Sequence, residues 1–295
     1  MAGRQVGPAL RLCRCERRKR TTVKDRAARA PRLHHPLPGR MVFRRRPRSG
    51  ETEGVGMEQV KDSSAATFDT LARTRTTVRA FLPDAVPRGV LSEILELAQR
   101  APSTFNTQPW RVHVLSGQAK EGLTREILLA HEAAVLPPFS PFPPAVPRAQ
   151  AAHQADFGRR YYEALGIDRG DTAARYRQTG RNFSFFGAPV GLIITTDRTL
   201  TKHSWLDCGI FLQTLMLAAH ARGLATCPQV AFLRFESSIA ARLELPDTEA
   251  VACGMSLGWP DTNAPVNRLD MPREAMETMA RWHGFESAEN AAPRA

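Results

Sequence analysis

The strongest apolar pattern lies at residues 189–195, Pro-Val-Gly-Leu-Ile-Ile-Thr. A continuous run rich in β-branched side chains predicts a central strand buried on both faces. Residues 249–257 share that character and predict a second buried strand, and residues 224–229 a short third. Residues 110–115 alternate instead, with Trp110, Val112 and Val114 on one side, as a half-buried strand does. Helical spacing fills most of the remainder. Residues 88–100 place Val90, Leu91, Ile94, Leu95 and Ala98 on one face, with Pro87 near the first turn and Pro102 just past the end. Residues 204–222 predict the longest helix, stopped by Gly223 and apolar nearly all round, so it belongs in a core or a subunit interface. Further helices are predicted over 68–75, 118–135, 151–165, 172–182 and 234–243, and an amphipathic one over 271–284. No internal repeat is visible.

Two irregular stretches interrupt this pattern. Residues 136–147, Leu-Pro-Pro-Phe-Ser-Pro-Phe-Pro-Pro-Ala-Val-Pro, form a rigid proline-dense loop. It reads equally as a surface linker and as a lid facing a site, since long irregular loops in compact domains often serve one. Residues 259–269 form a Pro/Asn/Asp loop ending in Asn267-Arg268-Leu269.

Composition changes the picture mainly at the N-terminus. The 295-residue chain has a formal net charge of +12, and residues 1–56 hold 16 Lys+Arg against 4 Asp+Glu, so the rest is balanced. This segment lacks apolar periodicity and cannot bury enough surface to offset its ordering entropy. Its cations suit nucleic-acid phosphates, but the blander reading is favoured: an extension ahead of a start at Met57, with residues 57–295 as the folded domain. Ser49 is its only serine, which argues against a transit peptide. No apolar run approaches the ~20 residues of a membrane helix. The odd set of five cysteines, with Cys208, Cys227 and Cys253 in apolar stretches, points to buried thiols in a reducing, cytoplasmic setting. Cys13-Arg14-Cys15 with His34-His35 has the wrong spacing for a zinc knuckle, so no metal site is expected.

The candidate chemistry sits between residues 73 and 111. Arg73, Arg75, Thr76, Thr77 and Arg79 offer planar forks and short hydroxyl donors for phosphate oxygens. A helical spacer follows, then the small polar turn Pro102-Ser103-Thr104-Phe105-Asn106-Thr107-Gln108-Pro109-Trp110. Small side chains there let a backbone approach a flat ring, though such residues also build an ordinary helix-to-strand turn. Together with Arg79-Ala80-Phe81-Leu82-Pro83, this pattern closely resembles the nitroreductase family of FMN-dependent oxidoreductases, from about residue 68 to about residue 285.

The resemblance implies an α+β fold, a sheet wrapped by helices in an interlocked homodimer with FMN at the interface. It implies that Arg75, Thr76, Thr77 and Arg79 hold the FMN phosphate and ribityl chain, with Arg268 as a second phosphate or ring contact. Pro102, Ser103, Thr104 and Asn106 would cover the flavin of the other subunit, with Gln108 completing the turn, and the backbone at Pro228 and Gln229 would face the flavin near N5. The family more often has Arg/His-Ser at Thr76-Thr77, and often a Lys at Val266. The implied reaction is a ping-pong cycle: hydride from NADH or NADPH reaches flavin N5, and the electrons pass to a nitroaromatic, quinone or similar electron-poor ring. The cofactor supplies that reactivity and the protein supplies position. Dehalogenation, flavin fragmentation or azoline oxidation are related chemistries, and a non-catalytic flavin- or nucleic-acid-binding module is the alternative from another class.

Gly254-Met255-Ser256-Leu257-Gly258 matches the G-x-S-x-G of serine hydrolases, with Asp270 and His283 following in order. The nucleophile elbow needs strand, sharp turn and helix, and Trp259-Pro260-Asp261 begins no helix, so Ser256 is read as a strand residue. No G-x-G-x-x-G follows a strand and no P-loop lysine is present, which excludes a dinucleotide domain of its own.

Overall fold

The computed structural model describes residues 55–133, 140–200 and 202–285. The chain divides between Glu53 and Gly54, and the described residues all belong to the second unit. The basic segment with Cys13 and Cys15, and residues 136–139 of the proline-dense loop, lie outside the described residues.

Four strands form one antiparallel sheet: β1 (Trp110–Ser116), β2 (Val190–Asp197), β3 (Ala225–Gln229) and β4 (Glu249–Gly258), in the order β1-β2-β4-β3. The two strands with unbroken apolar runs occupy the middle, because only central strands bury both faces. Leu192 and Ile194 of β2 face one core, shared with Ile94 and Ala98 of α2 (Arg88–Ala98) and with Phe211 and Leu215 of α6 (Lys202–His220). Ile193 faces the other, with Leu123 and Ile127 of α3 (Gly117–Glu132), Ile239 of α7 (Glu236–Leu243) and the phenylalanines Phe183, Phe185, Phe232 and Phe235. The result is a three-layer α+β arrangement, as expected.

Two glycines let the second layer approach the sheet. A Cβ on Gly191 would lie 2.6 Å from the Phe185 ring, and one on Gly254 would lie 2.3 Å from Phe232. The stacked pair Phe185–Phe232, 4.8 Å between centroids, occupies the space these glycines leave.

Three expectations need correction. The first helix, α1 (Val55–Thr74), runs 20 residues and is longer than α6 at 19. Its first half is too polar to show periodicity, and Met57 lies inside it. In β1, Trp110 is buried and Val112 half-buried on one face, but Val114 is 42% exposed and Leu115 packs on the other face. An edge strand has little cover at its far end. Residues 271–284 do not form a helix; only Met276–Met279 does. The apolar side chains there, Met276, Met279 and Trp282, find nothing to bury against in this protomer, and a short isolated helix is not stable in water. The remaining helices, α4 (Arg148–Ala164) and α5 (Thr172–Gly180), match expectation closely. Among the described residues no helix is long and apolar enough to cross a membrane.

Candidate active site

Residues 76–82 leave α1 in extended form and run beside the outer edge of β3. Thr77 bridges Thr226 in parallel, and Val78 N donates to Thr226 O at 3.1 Å. Phe81 pairs with Pro260, and Leu82 N donates to Trp259 O at 2.9 Å. The side chain of Asn267 then ties this segment to the loop after β4. Its Oδ1 accepts from Arg79 N at 2.7 Å, and its Nδ2 donates to Ala80 O and Asp261 O, both at 2.8 Å. Removing a partner from a half-buried polar group costs about 1–3 kcal/mol. Asn267→Ala strands the Arg79 N–H, while Ala80 O keeps Asp261 N at 3.1 Å and Asp261 O keeps Ala264 N at 3.3 Å, so a loss of about 1–3 kcal/mol is expected. Urea unfolding measures it, and an unchanged midpoint would show that the tie is idle.

This pairing brings the front of the domain against its end. Arg75, Thr76, Thr77 and Arg79 line one cleft of about 470 Å3 with Asn267, Met271 and Arg273, a size within the usual range for small-molecule sites. The guanidinium of Arg79 lies over the rings of Phe157 and Tyr161, 5.0 and 5.3 Å from their centroids. Burial, and secondarily the positive charge of Arg273, lower the pKa of Arg75. Among the described residues none of Arg75, Arg79 and Arg273 forms a salt bridge. Asp270 is the one carboxylate lining the cleft, against Arg73, Arg75, Arg79 and Arg273. This excess of positive charge favours an anion there, and arginine forks suit a phosphate.

Arg268 departs from the expected grip. Its Nε donates to Thr262 O at 2.9 Å and its Nη2 approaches Asn263 Oδ1 at 3.4 Å. It folds over its own loop and is not among the residues lining the cleft. Asn267, one position earlier in the turn, faces the leading segment, so its neighbour is turned away. Arg273 holds the cleft position instead. Sequence reasoning missed Arg273 because residues 271–284 read as a helix, whose polar face draws no notice.

Pro228 is exposed and has no N–H to offer, and Gln229 is buried at the end of β3. Gln229 Oε1 accepts from Ser256 Oγ at 2.7 Å and its Nε2 donates to Asn182 O at 2.7 Å. Its side chain is thus committed inside the protein, which leaves only backbone here for a ligand. The same contacts account for the G-x-S-x-G match. Ser256 is a buried strand residue, and Gly254 and Gly258 are small because Phe232 and Pro189 occupy the space a side chain would need. Nearby Cys227 is pushed up to about 11, and Cys253 to about 12, chiefly by burial, so both thiols stay protonated at neutral pH. Among the described residues no group of three or more His, Cys, Asp or Glu side chains offers a metal site.

The turn at residues 102–108 lies elsewhere. Thr104 N donates to both carboxylate oxygens of buried Asp207 at 3.2 Å, and Thr104 Oγ1 to Oδ1 at 3.3 Å. Asp207 sits near the start of α6, whereas Thr74, next to the cleft, bonds His220 at its end. Thirteen residues at 1.5 Å rise separate the two points by about 20 Å. Pro102, Ser103, Thr104, Asn106 and Gln108 therefore do not join Arg75 and Arg79 within one protomer.

Comparison with known proteins agrees with this architecture. A family model described as the nitroreductase family matches residues 72–259. The chain is 48% identical over 219 residues to 4-nitrobenzoate reductase of Pseudomonas putida, covering 74% of this chain and 96% of that protein. It is 42% identical over 213 residues to chloronitrobenzene nitroreductase of Comamonas testosteroni, covering 71% and 94%. Among solved structures, the FMN-dependent nitroreductase NfnB from Mycobacterium smegmatis in complex with NADPH superposes with a TM-score of 0.71 at 33% identity, covering 75% of this chain and 99% of that one. The chain belongs to the nitroreductase family.

Proposed function

We propose that the protein is an FMN-dependent oxidoreductase that takes electrons from NAD(P)H and delivers them to nitroaromatic or similar electron-poor rings. The cleft carries this assignment: Thr76 and Thr77 line it with Arg73, Arg75, Arg79 and Arg273, four cations against the single carboxylate of Asp270, which suits the phosphate of FMN. Bound FMN supplies hydride acceptance and electron release. The chain's own residues bind and orient it. Arg75 and Arg273 hold the phosphate end, Thr76 and Thr77 offer hydroxyls to the sugar-like chain, and Arg79, fixed on Phe157 and Tyr161, keeps one weakly hydrated cation beside it. Pro228 and Gln229 present backbone. The substrate class is that of the relatives, whose names specify nitrobenzoates and nitrobenzenes.

The site is complete only in a homodimer. The turn at residues 102–106 is too far from its own protomer's cleft, so it serves the cofactor of the other copy. The outer face of α6 supports this, since Trp205 is 46% and Leu206 65% exposed. Buried free thiols at Cys208, Cys227 and Cys253 suit the reducing cytoplasm where NAD(P)H is supplied.

The test is an absorption spectrum of the purified protein after incubation with FMN. A flavin band is expected to bleach with NADPH and to return when 4-nitrobenzoate is added. A protein that stays colourless overturns the assignment.

A further inference from the structure

Phe105 is 98% exposed, the most exposed of the large apolar side chains described, and lies in the left-handed region at φ 50°, ψ 27°. A bulky aromatic residue is rarely found there without compensation. Asn106 and Gln108 also have positive φ, at 58° and 45°. The surroundings that sustain this conformation are all on neighbouring residues. Thr104 is held by Asp207 through its amide and hydroxyl. Asn106 N donates to Ser103 O at 2.9 Å, and Gln108 N donates to Ser103 Oγ at 2.9 Å. Gln108 Nε2 donates to Asn106 Oδ1 at 3.1 Å. The loop is pinned on both sides of Phe105 while the ring itself projects into solvent.

We infer that Phe105 is a specificity-determining residue whose ring forms an outer wall of the acceptor's seat in the other protomer. This rests on the dimeric FMN reading above. A rigid loop that covers a cofactor and holds out an uncovered phenyl ring selects ligands that can stack on it, namely planar aromatic acceptors. The ring is remote from its own protomer's cleft, since Asp207 and His220 lie about 20 Å apart along α6, and in the dimeric reading it faces the partner's. The chemistry of the acceptor is a flat electron-poor ring, for which an edge or offset-stacked phenyl is a favourable neighbour.

The experiment uses the full chain loaded with FMN and compares two oxidants under NADPH. Nitrobenzene has a ring to stack and ferricyanide has none. In a ping-pong cycle kcat/KM for the oxidant reports the oxidative half alone. Phe105→Ala is expected to lower kcat/KM for nitrobenzene about 3- to 10-fold, the range for a lost aromatic pair, mostly through KM, and to leave ferricyanide unchanged. Phe105→Tyr, which keeps the ring, is expected to restore nitrobenzene reduction. Equal losses on both oxidants, or no loss on either, overturn the assignment. So does a Phe105→Ala protein that becomes monomeric or releases FMN, which would make the ring a structural anchor. A wild-type chain that binds no FMN fails at the earlier step and removes both proposals.

Discussion

Arg273→Ala is expected to weaken FMN binding by about 10- to 100-fold, the loss of one charge-assisted hydrogen-bonding partner at about 1.5–3 kcal/mol. The same change is expected to leave the flavin-free protein at least as stable as before. The opposite signs follow from one cause. Without an anion, Arg273 raises the energy of Arg75, whose pKa is lowered by burial first and by Arg273 second. With a phosphate between them, Arg75 and Arg273 gain an anionic partner, although Arg273 Nη1 also donates to Met271 O at 2.8 Å and Pro272 O at 3.2 Å. Fluorescence titration of FMN gives the first quantity and a thermal melt of the apoprotein the second. Arg268→Ala is the control. Its fork is spent on Thr262 and Asn263, so affinity should move by no more than about twofold, the size of an ordinary surface substitution. A large loss at Arg268 with none at Arg273 would show that the two exchange places when the cofactor binds.

Leu206→Glu is expected to yield a monomer without flavin. Leu206 is 65% exposed on the helix that also presents Trp205, and a carboxylate carried into a dry interface without a partner costs several kcal/mol. In the proposed homodimer the covering turn comes from the second copy, so dissociation should remove FMN as well, although residue 206 does not line the phosphate cleft. Sedimentation and the flavin absorbance of the same sample provide the two readouts. A monomer that keeps its flavin would place the whole cofactor site in one chain. The core should survive either way, since neither exposed side chain belongs to it.

What could be read in the sequence follows the physics of burial. Residues 189–195 announced β2 because both of its faces are covered, and Val90 to Ala98 announced α2 because a single face is. The leading cations and hydroxyls were legible as one cluster because Arg75 to Arg79 are contiguous. Three things were not legible. The stretch at 271–284 has a helical pattern but no surface to lie on within one protomer, so the pattern and the backbone disagree. Arg268 and Arg273 are equally basic, and only the direction of the turn at Asn267 decides which enters the cleft. The attachment of Thr104 to Asp207 joins two residues far apart in the chain and of ordinary character. It is this attachment that puts the 102–108 turn at the far end of α6.

The tie made by Asn267 also bears on how the protein is produced. Synthesis proceeds from the N-terminus, and domains condense as they emerge. Residues 76–82 leave the ribosome well before their partners Thr226, Trp259 and Asp261, and the cation of Arg273, are made. The nascent polypeptide thus has half a cradle until Arg273 has been made, and gripping a prosthetic group from both sides must follow synthesis of that residue.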